Sequence, residues 1–162
     1  MKIKSFVTMM VAAVAIVLGV SSCGSDDDEP EVAVAAQVAG SYTGQEILTV
    51  DREPDAGSAI FEFTKSSDTS VDMTIPQYGM GMMTLPALPV KNIPLTKSGN
   101  TITGKLASYA GSVTNADGAE KAYTISDVTV IFNDKTVVVT FTMKYGNMPF
   151  VFAGQFTGTK KN

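Results

Sequence analysis

The sequence predicts an all-β body of eight antiparallel strands in an up-and-down barrel, behind an export signal and a flexible tether. Three observations carry that expectation. From Val38 onward, apolar and polar residues alternate with a period of two, and helical i, i+3, i+4, i+7 spacing is nowhere sustained. Short segments rich in Gly, Asn, Asp and Ser separate the alternating runs, as hairpin turns require. No helical segment is present to cover a sheet edge, so closure of the sheet is the arrangement that leaves no edge free, with a β-sandwich as the alternative.

The chain divides into residues 1–22, a signal peptide; 23–36, an acidic tether; and 37–162, the barrel. Lys2 and Lys4 form a basic start, and Phe6 to Val20 is an apolar run too short for a comfortable transmembrane span of about 20 residues. Val20-Ser21-Ser22-Cys23 follows and resembles the lipobox of bacterial lipoproteins. That resemblance implies cleavage before Cys23 and lipid attachment to it, which accounts for a lone cysteine in an exported chain. The next residues, Gly24-Ser25-Asp26-Asp27-Asp28-Glu29-Pro30, resemble the signal of surface-directed Bacteroidota lipoproteins. Physically, adjacent like charges repel and keep such a segment solvated and extended. Val32 to Ala36 reads as a single turn or an irregular lead-in.

The strands follow in order. The first covers Val38 to Val50, broken by Gly40 and Gly44; the second, Ser58 to Lys65, turns Ala59, Phe61 and Phe63 inward. The third, Val71 to Ile75, alternates Val71, Met73 and Ile75 against Asp72 and Thr74. The fourth, Val90 to Thr96, carries Pro94 on its outer face, which predicts an edge or a bulge. The fifth is Thr101 to Ala107. The sixth, Tyr123 to Phe132, changes phase, which predicts a bulge near Ser126 and Asp127. The seventh, Thr136 to Tyr145, alternates most regularly, and the eighth sets Phe150, Phe152 and Phe156 against Val151, Gln155 and Thr157.

The stretch from about Gln37 to Lys160 resembles the calycin-like β-barrel domain of Bacteroidota lipoproteins. The likeness is carried by Val38-Ala39-Gly40-Ser41-Tyr42-Thr43-Gly44, Asn92-Ile93-Pro94-Leu95 and Phe156-Thr157-Gly158-Thr159. It implies a lipocalin-like barrel at the outer membrane. Tyr42 stands where a lipocalin has tryptophan, so lipocalin ligand chemistry is not carried over.

Composition excludes several function classes. There is no histidine, hence no imidazole base or metal ligand, and a single cysteine cannot form an internal disulfide or a multi-thiolate zinc site. With 12 basic and 16 acidic residues, the chain lacks the basic excess of a nucleic-acid binder. Ala107-Ser108-Tyr109-Ala110-Gly111 lacks the first glycine of a nucleophile elbow, and no histidine could serve Ser108. Asn115-Ala116-Asp117-Gly118 holds half the ligands of a calcium loop and reads as a polar turn. Glu62 and Asp72 read as carboxylates on the outside of neighbouring strands rather than a glycosidase pair. No cofactor site and no enzymatic constellation is expected.

The unusual segment is Gln77 to Pro89, longer than a hairpin needs and containing Met80, Met82 and Met83. It reads as a cover over one barrel mouth, where soft thioethers either plug the barrel or form a lid over an apolar ligand. An up-and-down count places it at the same end as Met148-Pro149. Tyr78, Met80, Met82, Met83 and Met148 are therefore the candidate ligand portal. The function expected is non-catalytic: a membrane-anchored barrel that binds a small apolar ligand, a glycan or a protein partner. A structural protein with a filled barrel and Cu(I) binding by the three methionines are the alternatives.

Overall fold

A computed structural model describes residues 32–80 and 83–162, with the backbone alone for Met80 and Met83. Helix α1 (Val34–Val38) leads into β1 (Gly40–Val50), β2 (Glu53–Ser67) and β3 (Ser70–Ile75). A small hairpin, β4 (Tyr78–Met80) and β5 (Met83–Leu85), interrupts the meander. The chain continues through β6 (Leu88–Ser98), β7 (Thr101–Thr114), β8 (Glu120–Asn133), β9 (Thr136–Tyr145) and β10 (Phe152–Lys160). Eight strands close into an antiparallel barrel in the order β1-β10-β9-β8-β7-β6-β3-β2, with β4 and β5 as a separate two-stranded sheet. Each barrel strand lies beside its neighbours in sequence, and β1 meets β10 to complete the ring. This is the up-and-down meander expected from the alternation.

Several strands outrun their sequence limits. β2 begins at Glu53 and β7 runs on to Thr114, because the outer part of each pairs along a single neighbour, β1 and β8 respectively. Gly44 does not break β1; it sits in register with Ala59 on β2 and Gly158 on β10. Phe150 falls outside β10 but packs half-buried against the core.

Both predicted irregularities are present. The β8–β9 register shifts between Ser126 and Thr129, where Asp127 takes a φ of 53°. That extra residue turns both Ile125 and Val128 inward, which resolves the change of phase. Between β3 and β6 the register shifts between Val71 and Met73, with Asn92 at a φ of 57°, so that Val90 and Ile93 both face the core. Pro94 is therefore accommodated beside a bulge in a closed barrel, not on a free edge.

The barrel has two different ends. At one, α1 packs across the opening with Ala35 and Val38 buried, and the Ala35 N–H donates to the Asp68 carbonyl of the β2–β3 turn at 3.1 Å. Residues Val34 to Ala36, at the end of the expected tether, are thus helical and folded onto the barrel. Tyr42 completes this closure. It is fully buried, its hydroxyl donates to the Val38 carbonyl at 3.0 Å, and its ring lies 5.5 Å from Phe63 and 5.7 Å from Phe132. Burial raises its phenol to about 12. Above it, Phe61 and Phe156 stack with centroids 4.2 Å apart, so this half of the barrel is filled with aromatic rings. Tyr42→Phe leaves the buried Val38 carbonyl without its donor. It is expected to lower stability by about 1–2 kcal/mol, measured by urea unfolding.

The seam between β6 and β7 has one of the short ladders in the wall, like that between β2 and β3. Its ladder runs from Leu95 opposite Gly104 to Ser98 opposite Thr101. Farther up, the side chain of Tyr123 lies over Gly111, and its hydroxyl donates across the seam to the Pro89 carbonyl. A Cβ on Gly111 would come within 2.5 Å of that hydroxyl, so the absence of a side chain there lets tyrosine replace the missing ladder.

Candidate ligand site at the barrel mouth

The opposite end carries the β1–β2 turn, the segment from Pro76 to Ala87, the β7–β8 turn and the β9–β10 connection. Gln77–Pro89 and Met148 therefore share this end, as the strand count predicts. The segment folds against the barrel: Leu85 and Leu88 are buried in the core, and Tyr78 and Met148 are half-buried against it. Gly79 of β4 pairs with Thr84 of β5. The side chains of Met80 and Met83, and all of Met82, lie outside the described residues. So does Cys23. The thioether lid and the Cu(I) reading fall there too.

A cleft of about 760 Å³ lies between the outer part of β2 and the β4 strand, lined by Glu46, Asp55 to Ile60, and Pro76 to Gly79. It exists because β2 and β3 part company: their pairing ends at Glu62 opposite Thr74, while β2 continues alone beside β1 to Glu53. The Tyr78 hydroxyl donates to Asp55 Oδ2, tying the hairpin to the side of the barrel. On the other flank, Gln77, Thr84 and Pro86 border a second groove against Asn115 to Asp117 of the β7–β8 turn. That turn is closed by its own bonds: Gly118 N–H to the Asn115 carbonyl at 2.9 Å, and Ala119 N–H to Asp117 Oδ1 at 3.0 Å.

Glu46 is the residue that sequence reasoning missed. It is 4% exposed, and its Oε1 has no hydrogen-bond partner among the described residues. Burial raises its carboxyl from 4.5 to about 7. Tyr78 is raised too, by burial first, then by its bond to Asp55 and the nearby charges of Asp55 and Glu46. The signal was in the alternation: Tyr42, Gly44, Glu46 and Leu48 share one parity, so Glu46 must point into the barrel wherever Tyr42 does. By contrast, Glu62 is exposed, and Asp72 accepts from Lys91 Nζ and Asn92 N–H, each at 2.9 Å.

The calycin-like beta-barrel domain matches residues 38–159, which spans the whole barrel. The chain belongs to the calycin-like β-barrel family. Among solved structures it is similar to the crystal structure of a putative outer membrane protein from Bacteroides fragilis, with 18% identity and a TM-score of 0.60. That similarity covers 80% of this chain and 53% of the other, so the chain spans about half that protein's length. At this identity the likeness is one of fold. No curated protein matches the chain.

Proposed function

We propose that this calycin-like protein is a non-catalytic, lipid-anchored binding protein of the outer membrane, facing the cell exterior. Its ligand is a small molecule with apolar surface, held at the barrel mouth under the β4–β5 hairpin. The observation that carries the binding reading is Glu46: a buried carboxyl with a free oxygen, lining a cleft of about 760 Å³. Buried polar atoms without partners are rare in folded proteins, and one that lines a concave site is accounted for by a ligand. The packed aromatic half of the barrel supports a site at the mouth.

Anchoring is supported by the Val20-Ser21-Ser22-Cys23 motif, and outer-membrane location by that motif together with the likeness to the Bacteroides fragilis protein. Several acyl chains on Cys23 would give stable attachment where one gives marginal attachment. Cys23→Ser is expected to move the protein from the membrane fraction to the soluble fraction; unchanged fractionation would refute lipidation. Protease shaving of intact cells tests the outward orientation, which requires digestion of the body before the outer membrane is broken. Native mass spectrometry of the full chain tests binding. Retained mass of small-molecule size is expected, and the bare polypeptide mass would favour an interaction protein whose loops do the recognising.

A further inference from the structure

We infer that the mouth cleft takes a small organic cation, an alkylammonium group donating to Glu46 Oε1 with its carbon skeleton against Ala59 and Pro76. The inference rests on the ligand-binding reading above and names the ligand's chemistry. Its first support is the neighbourhood of the carboxyl. Across the β1–β2 register Glu46 faces Gly57, and across the β1–β10 register it faces Phe156. Two residues away on its own strand stand Gly44 and Leu48. None of these side chains has a donor to offer. Among the described residues nothing donates to Oε1, which leaves it open to a donor from a bound ligand.

The second support is charge. The ionisable groups lining the cleft are Glu46, Asp55 and Tyr78, and no lysine or arginine lines it among the described residues. The Tyr78 hydroxyl is already committed to Asp55. A site with two acids and no base disfavours carboxylate or phosphate ligands and attracts a cation. A neutral alcohol could donate a hydrogen bond but would leave that charge unmatched.

The groups facing Glu46 also set a pH dependence. From β2 comes Asp55 and from β4 comes Tyr78, while β10 presents only Phe156. With a midpoint of about 7, Glu46 is mostly protonated at pH 6 and mostly ionised at pH 8. An alkylamine stays protonated throughout this range. Apparent affinity scales with the ionised fraction, so it is expected to rise about tenfold from pH 6 to pH 8.

The test uses the full chain with carbon-13 at its glutamate carboxyls, titrated with hexylammonium chloride and, separately, with 1-hexanol and sodium hexanoate. The expected result has three parts. Hexylammonium binds about tenfold more tightly at pH 8 than at pH 6. It lowers the Glu46 carboxyl midpoint. Glu46→Gln, checked for retained fold by far-UV circular dichroism, loses both the binding and its pH dependence. Hexanol binding as tightly as hexylammonium, without pH dependence, would overturn the cation inference and leave the ligand-binding reading intact. No binding by any probe would also overturn it, and the binding reading would then stand or fall on the mass retained in native mass spectrometry. If Glu46→Gln does not fold, the wild-type titration decides: a Glu46 midpoint unmoved by saturating hexylammonium refutes the inference.

Discussion

Gly44→Ala is expected to lower stability by about 3 kcal/mol or more, enough to populate the unfolded chain at ambient temperature. The position lies on the closing seam, where β1 meets β10 and Gly44 stands opposite Gly158. A Cβ built there would lie 2.0 Å from the Thr157 carbonyl oxygen and 2.5 Å from the Gly158 Cα. Both are backbone atoms of a hydrogen-bonded strand. No rotamer change relieves the overlap, so the two strands must separate and the barrel ring must strain. The control is Gly57→Ala on the adjacent strand, where a Cβ would meet nothing within 4 Å. There the reduced freedom of the unfolded chain is expected to leave stability unchanged or raise it by about 0.5 kcal/mol. Urea unfolding of both variants makes the comparison. Equal stabilities would show that the seam yields and that the close approach carries no energy.

Stability is expected to fall by about 3 kcal/mol as pH rises from about 4.5 to about 7, through Glu46 alone. In the folded protein its carboxyl holds its proton to about 7, whereas in the unfolded chain it releases it near 4.5. Between those values the native state binds more protons than the unfolded state, so raising the pH favours unfolding. The contribution is complete below about 4.5 and lost above about 7. Glu46→Gln removes the ionisation and is expected to flatten this part of the profile, with the largest gain over wild type at pH 8. A wild-type profile as flat as that of the variant would mean that the carboxyl is solvated when ionised. A bound cation would also shrink the slope, because it stabilises the ionised form.

Glu46 shows how far the sequence could be read. Alternation located every barrel strand, because burial of one face imposes a period of two whatever the tertiary partners. It also located the bulge near Asp127, since a change of inward parity within one strand has few other causes. It could not show where β2 outruns β3, because strand length beyond the last shared pair depends on neighbours distant in the chain. The cleft is made by that mismatch, so its lining was illegible even though Glu46 lay on the inward parity. Of the portal residues chosen from composition, Tyr78 and Met148 are described in full, and both lie at the expected barrel end. Tyr78 and Met148 pack at the mouth, and Tyr78 bonds to Asp55, a partner 23 positions away that no local pattern points to. Tyr42 was legible as part of a motif, but its task was not: the phenol caps a helix carbonyl at the closed end.

The ring that Gly44 and Gly158 complete joins the first strand of the barrel to the last, across a sequence separation of more than a hundred residues. Every other junction in the barrel links strands adjacent along the meander and can form as a local hairpin or short excursion. The final junction must bring together two ends of a curled ribbon, and its entropic cost grows with the chain between them. Folding is therefore gated by an event that local structure cannot accelerate. Until β10 has left the ribosome or the export channel, the inner face of β1, with Tyr42 and Glu46 upon it, has no wall on one side. A chain truncated before Phe152 would keep seven barrel strands and two unpaired edges, a template for association with other chains instead of a shorter version of the same protein.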